Sequence, residues 1–187
     1  MFPAPFPVLL DANVLIPLTL RDTLLRAADE GLIQIYWSEE ILDEVRRNLI
    51  RSIGLTEEKA ARQIQVMKDA FPEALVTGHE GLIAAMRNEP KDRHVLAAAV
   101  HVGAQTLVTN NLRDFRKEHL PPNIQAQDPD TFLQHLFDQN RPLLLEVLHA
   151  QAAALRRPPR SFTELLEGLA KSVPGFVAEV RRCLPQS

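Results

Sequence analysis

Cysteine is almost missing from this sequence: Cys183 stands alone among 187 residues. A single thiol closes no intramolecular disulfide and builds no thiolate zinc centre, which fits a reducing compartment and removes two kinds of chemistry. Cys183 itself reads as a small apolar residue. Long hydrophobic runs are lacking too. The longest, such as residues 95–100 and 143–145, fall far short of the roughly 20 apolar residues that a membrane span requires, so no membrane association is expected. Residues 1–7 hold no basic stretch ahead of an apolar one, and Asp11 interrupts the apolar run that follows. A secretory signal is therefore not expected, and a cytoplasmic location is. The sequence also offers no glycine-rich phosphate loop and no serine nucleophile elbow. It shows no internal repeat and no low-complexity tract.

What is present is the composition of a soluble globular chain, 45% hydrophobic and 24% charged, large enough for one full domain and an appendage. The net charge of −3 argues against a general polyanion-coating protein, and it is unevenly spread. Residues 142–187 hold six basic and four acidic side chains, leaving 15 basic against 20 acidic ones before them. Carboxylates concentrated for a purpose belong in that earlier part.

The pattern alternates between strands and helices. Pro7-Val8-Leu9-Leu10 reads as a short buried strand ending at Asp11, with a helix over residues 13–20 soon after. Asp22 or Thr23 is expected to cap a further helix through Asp29. Residues 33–37 alternate like a second strand. Ser38 caps a helix with Glu39 and Glu40 in its first turn, where the helix dipole favours acids. Ile41, Leu42, Val45, Leu49 and Ile53 form its apolar stripe, with Glu44 at the flank. Thr56 opens another helix that Pro72 stops, and residues 75–77 form a short strand. A small helix lies near residues 81–87. Pro90-Lys91-Asp92 opens a helix closed by Gly103. Residues 106–109 are the clearest strand, followed by the polar Asn110-Asn111-Leu112-Arg113-Asp114-Phe115 loop. A last strand near Gln125 precedes a helix capped by Asp130. Strands separated by helices predict right-handed crossovers and a parallel sheet. Beyond residue 140 the pattern is wholly helical: residues 143–155, a Pro158-Pro159 break, a Ser161/Glu164 capping box, and a last helix from Pro174. The division is thus an α/β domain over 1–140 and a helical extension over 141–187.

Parallel sheets bind ligands at the carboxyl ends of their strands, so polar residues there are the informative ones. Asp11 ends one strand; Asn110, Asn111 and Asp114 follow another. Asp11 alone could serve merely as a helix cap. Asp92 falls inside the apolar stripe of its helix, between Leu96 and Ala99, so its carboxylate faces the protein. Burying it costs several kcal/mol, in order of magnitude, unless a cation or a set of N–H donors compensates. Several carboxylates brought together repel and are driven to protonate unless a divalent cation sits among them. Oxygen ligands without Cys or a His pair suit Mg²⁺ or Mn²⁺ rather than Zn²⁺.

Four segments, Leu10-Asp11-Ala12-Asn13-Val14-Leu15, Ser38-Glu39-Glu40-Ile41-Leu42-Asp43-Glu44-Val45, Asp92-Arg93-His94-Val95-Leu96-Ala97-Ala98-Ala99 and Val108-Thr109-Asn110-Asn111-Leu112-Arg113-Asp114-Phe115, together resemble the PIN domain, the nuclease fold of VapC-like bacterial toxins. The resemblance spans about residues 8–135. It implies a PIN-like three-layer α/β sandwich around a central parallel sheet, with the C-terminal helices added. It further implies a Mg²⁺- or Mn²⁺-dependent endoribonuclease with Asp11, Glu44 and Asp92 as its acidic core, and a fourth acidic position after Thr109. Asp114 is the candidate acid there, with Asn111 as a neutral oxygen ligand. Asn13, Thr109, Asn110 and Arg113 are candidates to position water or substrate. Arg46, Arg47, Arg51, Arg113, Arg116 and Lys117 are candidates for contact with single-stranded RNA. An antitoxin protein and a homodimer are the implied partners.

Two departures bear on activity. Relatives commonly place an acid where this chain has Asn111, and another just before Asp92, where it has Pro90 and Lys91. A catalytically weak PIN scaffold that binds RNA or a protein partner, favoured by Asn111 and by the added helical tail, is the alternative. An α/β phosphotransfer enzyme is disfavoured, because Asp11-Ala12-Asn13 lacks the paired acid such enzymes carry after the first strand.

Overall fold

In a computed structural model of the chain, residues 6–156 and 158–184 are described. Residues 1–5, and with them most of the segment considered above for a secretory signal, lie outside the described residues. Among the described residues no helix is long and apolar enough to cross a membrane. The chain divides into two compact units, one of Met1–Ile16 with Ile33–Gln127, the other of Pro17–Leu32 with Asp128–Ser187.

The first unit is built on a five-stranded, wholly parallel sheet, as the alternation of strands and helices predicts. Its strands are β1 (Phe6–Leu10), β2 (Ile33–Ser38), β3 (Leu75–Val76), β4 (Thr106–Val108) and β5 (Gln125–Gln127), in spatial order β3-β2-β1-β4-β5. β1 is central, and Val8, Leu9 and Leu10 are all fully buried. That is why it reads as an unbroken apolar run rather than an alternating one. The register pairs Val8 with Ile35 on one side and Leu10 with Val108 on the other. After three strands laid down in one direction the chain crosses to the far side of β1, so the order reverses between β1 and β4. Such a reversal opens a crevice at the carboxyl ends of the two strands.

Short helices bring further side chains to that end. α1 (Ala12–Leu15) follows β1 directly, capped by the Asp11 carboxylate. α3 (Glu39–Arg51) is capped by Ser38, whose hydroxyl accepts from the Ile41 amide at 3.2 Å. Ile41, Leu42, Val45 and Leu49 are buried as expected. Ile53 is not: the helix stops at Arg51, Gly54 turns the chain at a φ of +78°, and Ile53 is left 56% exposed. α4 (Glu57–Ala70) is capped by Thr56. The segment expected to be helical near residues 81–87 is a 3₁₀ turn, Glu80–Ala85. A second 3₁₀ turn, Pro90–Asp92, leads into α5 (Arg93–His101), in which residues 95–99 are all buried.

The second unit is helical: α2 (Leu18–Asp29), α6 (Pro129–Gln139), α7 (Arg141–Ala154), α8 (Phe162–Ala170) and α9 (Pro174–Cys183). The chain enters it twice, which order along the sequence does not reveal. Here the structure corrects two caps. The segment over residues 13–20 is broken at Pro17, and α2 begins at Leu18. Asp22 and Thr23 are therefore inside the helix, and the buried Thr23 hydroxyl donates to Gln151 Oε1 at 2.7 Å. α6 is capped by Asp128, not Asp130. Asp130 instead accepts from the Gly175 and Phe176 amides, at 2.9 and 2.6 Å, and so anchors the start of α9. The Ser161/Glu164 capping box on α8 is present. Cys183 is free and exposed, not packed as a small apolar residue.

Candidate functional site

The parallel pairing of β1 with β4 sets the site. The Asp11 amide donates to the Val108 carbonyl at 3.1 Å, so Asp11 and Thr109 emerge side by side where the two strands end. The Thr109 hydroxyl donates to Asp11 Oδ2 at 2.7 Å. The Asn13 side-chain amide donates to the same oxygen at 2.8 Å and to Thr109 Oγ1 at 3.1 Å. Asp11 Oδ1 accepts from the Ala12 amide at 2.7 Å. Asn13 Oδ1 in turn accepts from the Asn110 amide at 2.9 Å, and the Asn111 amide donates to Thr109 Oγ1 at 3.0 Å. Asp11 is nearly buried, and that burial raises its carboxyl above the ordinary range while these donors pull the other way.

Asp92 arrives on the turn before α5. It faces inward as its place in the apolar stripe predicts, with a side chain 14% exposed. Its Oδ2 is buried without a hydrogen-bond partner; the nearest cation, Lys91 Nζ, stands 3.6 Å away. Burial pushes its carboxyl up to about 6, Lys91 opposes the rise, and the charges of Asp11 and Asp114 add to it. The crowding that the sequence suggests between distant carboxylates therefore operates between Asp11 and Asp92.

Asp11, Asn13, Glu44, Asp92 and Asn111 line one cavity of about 380 Å³. Glu44 reaches it from α3, followed along the same helix face by Arg47, Asn48 and Arg51; Lys91 and His94 complete the wall. Spacings of three, four and seven residues place those α3 side chains together. That signal is legible in the sequence, although only Glu44 and the two arginines are singled out there. His94 Nδ1 is buried without a hydrogen-bond partner.

Other candidates lie differently. Asp114 is not on the cavity wall: its Oδ2 accepts from Asn111 Nδ2 at 2.9 Å and meets Lys91 Nζ at 3.1 Å. The Lys91 ammonium holds its carboxyl below the ordinary carboxylate range. Thr109 is fully buried behind Asp11, so it positions that acid and is shielded from any ligand. Asn110 is exposed, and Arg113 points outward with 82% of its side chain exposed, 3.8 Å from Asp114 Oδ1. Arg46 is engaged by Asp43 and Glu57. Arg116 and Lys117 line a separate groove of about 730 Å³ beside β5.

Among the described residues no three Asp, Glu, His or Cys side chains form a ready-made metal cluster. That disfavours an ion with four protein ligands such as Zn²⁺. Mg²⁺ is different, because it keeps several of its waters and takes only one or two carboxylates directly. Asp11 and Asp92, with Asp92 Oδ2 unpartnered and Glu44 on the same cavity, fit such an ion.

The sequence pattern of the PIN domain matches residues 7–113, more than half of the chain and all of β1 through β4 but Phe6. The chain belongs to the PIN-domain family. A second pattern, the VapC50 C-terminal domain, matches residues 129–182, which covers α6 to α9 almost entirely. The PIN domain here is VapC-like: the chain is 42% identical over 113 residues to the protein named "Putative ribonuclease VapC50" of Mycobacterium tuberculosis, covering 60% of this chain and 67% of that one. Among solved structures, the 2.2 Å structure of VapBC-1 from nontypeable Haemophilus influenzae is 17% identical, with a TM-score of 0.48 over 66% of this chain and 98% of that chain.

Proposed function

We propose that this PIN domain is an endoribonuclease that hydrolyses RNA phosphodiesters with Mg²⁺ or Mn²⁺, as the toxin of a toxin–antitoxin pair. The observation that carries this reading is the presence of Asp11 and Asp92 on one cavity, where burial and the charge of Asp11 raise the Asp92 carboxyl and Asp92 Oδ2 is left without a donor. The kinship with a protein named as a ribonuclease supports the choice of RNA. In this reading Asp11 and Asp92 hold the ion directly, Glu44 and Asn111 on the same cavity meet it through its waters, and Asp114 stands off the cavity wall against Lys91. Once bound, the ion lowers the pKa of a water for attack and offsets charge on the phosphodiester oxygens.

The chain's own residues do the rest. Thr109, Asn13 and the Ala12 amide fix Asp11 in one orientation, so its oxygens need not reorganise when a ligand arrives. Arg47, Asn48 and Arg51 give α3 a wall that attracts phosphates leading away from the acids. Asn13 lines the cavity while bound to Asp11, and Asn110 and Arg113 are exposed and off the cavity wall. An antitoxin protein, a homodimer and a cytoplasmic location complete the proposal.

The cation at Lys91 and the uncharged amide at Asn111, both beside the acids, favour a second reading: a scaffold that binds RNA or a protein partner and cleaves weakly. A randomised single-stranded oligoribonucleotide separates the two. The nuclease reading expects cleavage that requires Mg²⁺ or Mn²⁺ and falls by more than about 100-fold in Asp11→Asn and in Asp92→Asn. Retained binding with no metal-dependent cleavage by the unaltered protein would favour the scaffold.

A further inference from the structure

Lys91 is a cation beside the acids that the metal reading does not absorb. Its stem is 61% exposed, yet its ammonium sits 3.1 Å from Asp114 Oδ2 and 3.6 Å from Asp92 Oδ2, both of which belong to largely covered side chains. Asn111 Nδ2 donates to the same Asp114 oxygen at 2.9 Å. Asp114 Oδ2 therefore already has two donors, one of them charged, and its carboxylate is turned to them and not to the cavity. The carboxylate pair Asp92/Asp114, which could otherwise clamp a second divalent ion, is bridged by a cation fixed to the chain.

We infer that the Lys91 ammonium is a tethered substitute for a second divalent ion, so that this PIN domain binds one divalent ion, at Asp11 and Asp92, and not two. The inference rests on the metal-dependent reading above and adds the stoichiometry to it. A second dication at Asp114 would lie within a few ångströms of the ammonium and would have to displace it from an oxygen that also accepts from Asn111. Asn111 strengthens the exclusion: its carbonyl oxygen brings no charge to attract a dication, and its NH₂ group is committed to Asp114. Lys91 and Asn111 thus act together on Asp114, one supplying a cation and the other an uncharged donor.

The test is a titration of the full chain with Mn²⁺, following the free ion by its electron paramagnetic resonance signal and requiring no RNA. The unaltered protein is expected to bind one Mn²⁺ per chain. Lys91→Ala should bind that ion roughly threefold to tenfold more tightly and admit a second, weaker one. Lys91→Arg, which keeps the charge, should retain the single ion, and so should Arg113→Ala, which removes an equal charge from the exposed side of Asp114. Two ions of comparable affinity in the unaltered protein, or a Lys91→Ala titration superimposable on it, would overturn the inference while leaving the metal reading intact. No Mn²⁺ bound by any of the four proteins would overturn both.

Discussion

The Thr109 hydroxyl donates to Asp11 Oδ2 and accepts from the Asn13 side chain and the Asn111 amide, so one buried oxygen sets both the acid and the loop after β4. Replacing it by valine keeps the shape and removes the donor. Thr109→Val should fold, and should lose about 10- to 100-fold in Mn²⁺ affinity and in RNA cleavage, as expected for a group that orients a metal ligand. Thr109→Ser should restore most of the loss, and a Thr109→Val protein with unaltered affinity would remove the role assigned here. The sequence makes Asp11 and Asp92 visible because each breaks a local rule, one acid ending an apolar strand and the other interrupting an apolar stripe. It does not separate ligand from support at Thr109, since the direction of that side chain depends on how β4 pairs with β1. Nor does it show that Asp114 faces Lys91, a contact made by a lysine on one loop reaching an acid on another.

Among the elements, α3 is the one whose chemistry is written in its spacing. Its apolar positions are buried, and Glu44, Arg47, Asn48 and Arg51 share the face that meets the cavity. Arg47 is partly held by Asp43, 3.0 Å away, whereas Arg51 is exposed at the end of the helix. Arg51→Ala should weaken binding of single-stranded RNA by a similar factor for every sequence and reduce the slope of log affinity against log salt by about 0.7. Fluorescence anisotropy at several salt concentrations measures this, and an unchanged slope would take Arg51 out of the interface. Most helices were legible in the sequence, but the one expected near residues 81–87 is a 3₁₀ turn and several boundaries moved. Pro17 moves the start of α2 forward to Leu18, and Asp130 serves a helix distant in sequence instead of its own. Caps of that second kind leave no local trace, because their partners are fixed only by tertiary packing.

For the whole molecule, the alternation of strands with helices foretells a parallel sheet but not its order, and it is the order that puts the ends of β1 and β4 beside each other. The consequence is a fold that gathers negative charge at one rim, and this couples stability to pH. Asp92 titrates at about 6 in the folded chain, against an ordinary 3.8. Between those values the folded state keeps a proton that the unfolded state releases, so stability falls as pH rises through that window, and above about pH 6 the cost of the ionised pair is fully present. Asp114 is shifted downward by Lys91. Its contribution is present above the ordinary carboxylate range and is lost only as pH falls below that range, so it stays level from about pH 5 to about pH 8. A divalent ion between Asp11 and Asp92 removes the cost that appears above about pH 6, and stabilises by mass action besides.

The melting temperature with and without Mg²⁺, at about pH 5 and about pH 8, therefore bears most directly on the shared ion. The account predicts a rise on adding Mg²⁺ that is large at the higher pH and small at the lower, together with an Asp92→Asn protein that melts higher than the unaltered one without the ion and gains little from it. A Mg²⁺ effect that is missing at the higher pH, or one that survives undiminished in Asp92→Asn, would contradict it.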